Sequence, residues 1–138
     1  YTLDGEEADP SVVAQNTRLL VVVKVNQNDA WPARVLITDL LPGGFEIENP
    51  KLVQSADLAA FDWLPEITAA HTEARSDRSV AAFDRMPEDE REFTFAYLVR
   101  AVSPGVYTQP AAAVEDMYRP QLFARTGMGK VEVLGPKP

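Results

Sequence analysis

Two stretches of this chain repeat an apolar residue at every second position, and few folds accommodate that. Val21, Val23 and Val25 alternate with Leu20, Val22 and Lys24, while Phe93, Phe95, Tyr97 and Val99 alternate with Thr94, Ala96, Leu98 and Arg100. Successive side chains of an extended backbone point to opposite faces, so this period reads as a strand with one face on a core. Val35 and Ile37, set among Arg34, Leu36 and Thr38, predict a third strand, and Val131 with Val133 a short last one. Thr72–Arg75 and Val80–Phe83 read as two more, joined by the polar turn Ser76-Asp77-Arg78.

Between these runs stand the residues that reverse a chain. Pro42-Gly43-Gly44 ends the third strand, Ser103-Pro104-Gly105 ends the Phe93 strand, and Gly127 and Gly129 predict a turn before Val131. Proline presets φ and glycine reaches positive φ without steric cost. Many short strands with frequent turns predict an all-β fold, an antiparallel immunoglobulin- or fibronectin-like β-sandwich of about seven strands. At most a short helix is expected: Ser55 as cap of Ala56–Trp63, with Leu58, Phe61 and Trp63 as contacts and Pro65 as its stop. Ser11–Gln15 reads as one further turn after Pro10. The tail Gly135-Pro136-Lys137-Pro138 is expected to be loose.

The length of 138 residues fits one domain over residues 1–138. A chain of that order buries roughly two-thirds of its unfolded surface. Apolar residues make up 46% and charged residues 25%, a globular rather than a disordered composition. The formal charge of −8 comes with no Lys/Arg cluster to neutralise phosphates, so nucleic acid is not an expected partner. The absence of cysteine excludes disulfides, thiol nucleophiles and thiolate metal sites. No apolar run approaches the ~18 residues of a membrane-spanning helix, so direct membrane insertion is not expected, and neither is a signal peptide within this stretch. The start at Tyr1-Thr2-Leu3 is that expected of an excised fragment.

The candidate chemistry is thin. His71 is the one histidine, and no nucleophile-elbow pattern accompanies it, so a hydrolase site is disfavoured and a surface strand residue expected. Acidic clusters at Asp4, Glu6, Glu7, Asp9 and at Asp84, Glu88, Asp89, Glu90 lack the ligand spacing of a calcium loop. They read as solvated charge, the second beside Pro87 in an exposed hairpin connection. No metal or cofactor is expected. Asp39, after a hydrophobic strand, is placed to cap a turn or pair with an arginine; Arg75, Asp77 and Arg78 are placed to form a surface charge network worth about 0–1 kcal/mol per pair. The segment Val114-Glu115-Asp116-Met117-Tyr118-Arg119-Pro120 is the most informative. It follows the small-residue stretch Pro110-Ala111-Ala112-Ala113 and sets a soft apolar side chain and an aromatic ring after two acids. In a loop, Met117 and Tyr118 face solvent or a partner, as such residues do in interface cores; the alternative is that both fold back onto the sandwich.

Several segments together resemble the bacterial alpha-2-macroglobulins, specifically their last, C-terminal macroglobulin-like domain. They are Tyr1–Gly5, Asp39–Pro50, His71-Thr72-Glu73 with Asp77-Arg78, Tyr97–Gly105 and Val114–Pro120. The resemblance implies a non-catalytic macroglobulin-like module of a large periplasmic protease trap, tethered by lipid to the inner membrane. In such a trap a protease cleaves a bait region, the molecule rearranges, and an internal thioester captures the attacker. The implied partners are the thioester domain of the same polypeptide, the target proteases and, for many members, a penicillin-binding protein. By the same resemblance Met117 and Tyr118 occupy the loop that covers the unreacted thioester, Tyr118 as main lid and Met117 as its packing partner, while Glu115, Asp116 and Arg119 shape the loop. The competing expectation is an adhesive or scaffolding immunoglobulin-like module of the bacterial envelope.

Overall fold

The computed structural model describes residues 1–28, 32–48, 61 and 71–136. Among these the fold is all-β. Its eleven strands are β1 (Val12–Ala14), β2 (Arg18–Asn26), β3 (Ala33–Leu40), β4 (Phe45–Ile47), β5 (His71–Ala74), β6 (Arg78–Arg85), β7 (Glu92–Ala101), β8 (Gly105–Gln109), β9 (Ala112–Asp116), β10 (Phe123–Arg125) and β11 (Gly129–Leu134). The expected helix over Ala56–Trp63 lies outside the described residues, apart from Phe61.

One layer of the sandwich is the sheet β2-β7-β4. The other is divided between the sheets β5-β6-β3-β9-β10 and β8-β11-β1. The alternation in β2 and β7 places one face of the first layer on both halves of the second. Leu19, Tyr97 and Val99 pack with Phe45, Val131 and Val133 in one cluster, and Val25 and Phe93 pack with Val35, Ile37, Ala81 and Phe83 in the other. The ring centroids of Phe83 and Phe93 lie 5.3 Å apart, and Phe95 bridges Phe83 to Tyr97. Burying one such side chain stabilises the fold by about 1.5–3 kcal/mol.

The first layer is covered on its other face as well. Leu20 and Leu98, which the alternation assigned outward, are buried against Phe61, with Tyr1 and Leu3 packed beside them. The Tyr1 ammonium donates to the Leu20 carbonyl at 2.9 Å, and Leu20 N–H returns a bond to the Tyr1 carbonyl.

Three local expectations are corrected. Ser11–Gln15 is not a helical turn, because Val12–Ala14 is a strand paired parallel to β11, while the other strand pairings among the described residues are antiparallel. Asn16, at φ 71°, then turns the chain into β2, and asparagine tolerates that left-handed region. The acidic stretch after Arg85 is not a hairpin connection, since β6 and β7 belong to different layers. Gly127 and Gly129 do not reverse the chain, because the strands on either side of Gly127 keep one register with their partners.

Strands β8 and β9 lie on either side of Pro110, and β10 and β11 on either side of Gly127. Gln109 pairs with Gly129 and Ala113 with Arg125, so the register is the same across the interruption. Residues 105–134 therefore form one long hairpin. Its base lies in the small sheet and its tip, Met117–Gln121, projects from the large one. Tyr107 seats the base: its hydroxyl donates to the carbonyls of Ser103 and Pro104, both at 3.1 Å. Its ring lies so close to the Pro42-Gly43-Gly44 turn that a Cβ on Gly44 would stand 2.4 Å from the ring and 2.8 Å from the Ser103 carbonyl.

Candidate functional site

The tip of this hairpin is where the informative segment lands. Strand β9 pairs with β3 along Val35–Asp39 and with β10 on its other side, which fixes the direction of each side chain. Val114 and Asp116 point into the sandwich, while Ala113 and Glu115 point out. Asp116 is only 7% exposed and organises the turn that follows. Its Oδ1 accepts the Tyr118 N–H at 3.0 Å, and its Oδ2 lies 3.2 Å from Arg119 Nε. This is an aspartate turn, in which a short carboxylate stands in for a backbone acceptor. The backbone closes the loop further. Met117 N–H donates to the Arg34 carbonyl at 2.7 Å, Arg119 N–H to Asp116 O at 3.1 Å, and Leu122 N–H to Arg119 O at 2.8 Å. The Arg119 guanidinium also donates to the Pro32 carbonyl, tying the tip to the start of β3.

Held in this way, Met117 and Tyr118 do not fold back. They remain 48% and 66% exposed. Glu115 is exposed on the outer face of the sheet, paired in register with Phe123 and Leu36. Sequence reasoning missed the other arm of the tip, where Leu122 and Phe123 are exposed too. The signal was present as a polar–apolar–apolar–small pattern, Gln121-Leu122-Phe123-Ala124, but three strand residues are too few to show a period. Inside the tip, a groove of about 270 Å³ opens between the layers, lined by Val25, Val35, Phe93, Val114, Leu122 and Ala124 among others.

The remaining candidates are structural. Asp39 neither caps the turn nor meets an arginine; the Tyr97 hydroxyl donates to its Oδ2. Burial pushes the Asp39 carboxyl up, the hydrogen bond opposing, and Tyr97 is pushed up by burial and by the adjacent carboxylate. Arg78 pairs with Asp77 at 3.0 Å and Arg75 with Glu73 at 2.7 Å, and Arg75 also helps hold the Asp77 carboxyl below its ordinary value, so the three residues form an exposed charge network that takes in Glu73. His71 begins β5. Among the described residues no three metal-ligating side chains converge.

Comparison with known proteins now decides the family. Residues 1–121 match the family model described as the bacterial alpha-2-macroglobulin MG10 domain.

The chain belongs to that family.

The alpha-2-macroglobulin of Xylella fastidiosa (strain Temecula1) is 39% identical over 139 residues, covering 95% of this chain and 8% of that protein. The Escherichia coli K12 alpha-2-macroglobulin is 34% identical over 127 residues, covering 86% and 8%. In structure, the native conformation of the E. coli protein matches with a TM-score of 0.81 at 28% identity, over 96% of this chain and 9% of that one. Salmonella alpha-2-macroglobulin reacted with methylamine matches at 0.79 and 30%, over 96% and 8%. Trypsin-activated E. coli alpha-2-macroglobulin matches at 0.78 and 31%, over 96% and 10%. The MG10 match takes in Met117–Gln121, and the chain spans about 8% of the length of these curated relatives.

Proposed function

We propose that this MG10 domain, a single non-catalytic module over residues 1–138 at the C-terminal end of its parent, docks its hairpin tip on the thioester domain and shields the thioester until bait-region cleavage. The observation that carries this reading is the contrast inside the tip: an exposed methionine and tyrosine on a turn fixed by a buried carboxylate. A side chain meant to cover something must be both available and held in place, and Asp116 provides the holding.

The chemistry supports it. A thioester persists in water only while nucleophiles are kept from its carbonyl carbon. An aromatic ring beside a thioether presents a mostly apolar cover that excludes water and amines. Methylamine is a small nucleophile of the kind such a lid excludes, and the Salmonella relative is known in its methylamine-reacted form. This chain has no cysteine, so the thiol of the reactive bond belongs to another part of the parent. The E. coli relative is known in a trypsin-activated form, in keeping with release by proteolysis. In this reading, cleavage biases a two-state domain arrangement, and the tip leaves the thioester as the domains move. Tyr118 is the main lid and Met117 its packing partner; Asp116 and Arg119, with Glu115, shape the loop. The parent is a periplasmic protease inhibitor, lipid-anchored to the inner membrane, acting on proteases and alongside a penicillin-binding protein.

The test is thiol release from the full-length parent on adding methylamine, before any protease, in wild type and Tyr118→Ala. Faster release in the variant is expected. Equal rates from a folded variant would remove Tyr118 from the role.

A further inference from the structure

A second surface lies on the flank of the same hairpin, apart from the Met117-Tyr118 lid. Among the described residues, strand β10 is the last strand of the large sheet and pairs with β9 alone. In an antiparallel pair the residues alternate between exchanging backbone hydrogen bonds with the partner and directing them away. Asp116 N–H bonds Leu122 O, and Thr126 N–H bonds Ala112 O. Leu122, Ala124 and Thr126 therefore face β9, and the amides and carbonyls of Phe123 and Arg125 face outward. Among the described residues no strand takes them up.

Around this edge the surface is unusual for the molecule. Residues 121–130 are exposed without interruption. They include Phe123, 65% exposed, and Met128, 72% exposed. Residues 119–130 carry Arg119, Arg125 and Lys130 and no acid, on a chain whose formal charge is −8. Arg125 stands over the Phe123 ring, 5.8 Å from its centroid. Below the edge lies the groove between the layers, where Leu122 and Ala124 stand opposite Val25, Val35 and Phe93 and the polar residues Asn26, Gln27, Asn28 and Gln121, with Glu115 and Asp116, complete the lining. A strand laid along β10 would direct every second side chain into that groove and the intervening ones toward the Arg125 side.

We propose that the β10 edge and its groove accept, by strand addition, an extended segment of a partner polypeptide in which apolar residues alternate with carboxylates. The backbone supplies the affinity, the groove selects alternate apolar side chains, and Arg125 with Lys130 selects the acids. The charge also argues against a second copy as the occupant. Two β10 edges in register set arginine near arginine, which is how natural edges prevent self-pairing.

The probe is a capped peptide of about eight residues alternating valine and glutamate, titrated into the 138-residue chain and followed by amide chemical shifts and hydrogen exchange. Saturable binding is expected, with the amides of Phe123 and Arg125 becoming protected. Arg125→Glu is expected to weaken binding about fivefold or more, the equivalent of about 1 kcal/mol. The same peptide N-methylated on its bonding edge is expected not to bind. Tyr118→Ala is expected to bind as wild type does, which separates this site from the lid. Absence of binding overturns the proposal. So does equal binding of the N-methylated peptide, which would mean charge attraction without strand addition. Concentration-dependent dimerisation of the free chain that protects the same two amides would put a second copy on the edge and overturn it likewise.

Discussion

At its base the 105–134 hairpin buries Val131 and Val133 to 1% and 2% exposure, while at its tip Tyr118 and Phe123 lie largely in solvent. Register and backbone pairing are the same at both ends. What differs is what each end can pack against. The base lies over the first layer, with Tyr107 wedged on the Gly43-Gly44 turn; among the described residues the tip has its own turn, the start of β3 and an open groove toward Val25 and Phe93. Pairing alone therefore says little about where stability resides. Burial at the base sustains the ribbon, and the tip is available for contact because the base does not need it.

The sharpest way to break this contrast is at the base. Gly44→Val sets side-chain atoms where the Tyr107 ring and the Ser103 carbonyl already stand, and the carbonyl cannot swing aside. Overpacking of this kind costs about 3 kcal/mol, and with a total stability of about 5–15 kcal/mol that is a large loss. Denaturant unfolding should show the midpoint falling. A midpoint unchanged from wild type would mean that Tyr107 does not seat the base as described.

An intermediate effect is expected at the neck of the tip. Asp116→Ala removes the acceptor of the Tyr118 N–H and leaves Arg119 without its carboxylate. The cost is about 1–2 kcal/mol. Its distribution matters more than its size: exchange of the Tyr118 and Leu122 amides should accelerate while that of Val131 stays slow. Uniform acceleration along the hairpin would mean that tip and base are one cooperative unit, contrary to the comparison.

Of the hairpin, Val131 and Val133 at the base and the chemistry of Met117-Tyr118 at the tip were legible in the sequence; β8 was not seen. Long strands such as β2 and β7 repeat their alternation enough times to be read, and Val131 and Val133 needed one repeat because glycines flank them. Strands of three residues, β1, β4 and β10, carry no period, so β1 was read as a turn and β10 was not seen. Leu20 and Leu98 were assigned outward because alternation identifies one buried face and is blind to a terminal segment that covers the other. The Gly127 region was read as a reversal because glycine marks both turns and interrupted strands. Met117 and Tyr118 were noticed for their chemistry, yet their exposure was left open: it depends on the Asp116 turn and the Arg34 carbonyl, and the latter is a contact distant in sequence.

A smaller effect, with a pH signature, is expected where β3 meets β7. Burial raises the Asp39 carboxyl above its ordinary 3.8. Between that value and its folded-state value the native chain holds a proton that the unfolded chain has released. Stability therefore falls as pH rises through this window and levels off above it. Asp39→Asn keeps an acceptor for the Tyr97 hydroxyl without the charge. The variant should lose this pH-dependent fall and match or exceed wild type at neutral pH by about 1 kcal/mol or less. Glu48 works in the opposite sense. Its bidentate bond from Arg18, 2.7 Å on each arm, holds its carboxyl below the ordinary range, so its contribution is present at neutral pH and fades as the solution is acidified. The two titrations are separable because they slope in opposite directions, and a pH profile of Asp39→Asn with the wild-type fall intact would rule out the buried carboxyl as its source.

The smallest effect on stability is expected at the most exposed ring. Tyr118→Ala removes a side chain that is 66% exposed and leaves the turn's backbone hydrogen bonds in place. The isolated chain should unfold within about 0.5 kcal/mol of wild type. The value of this variant lies in that silence. A residue retained for packing announces itself when removed; one retained for contact does not, until the contact is present. If Tyr118→Ala were to cost the isolated chain about 2 kcal/mol, the ring would belong to the fold of the hairpin, and faster thiol release in the parent would report a loosened domain rather than an uncovered thioester. If the isolated chain is indifferent, the same release can be assigned to the surface that Tyr118 covers.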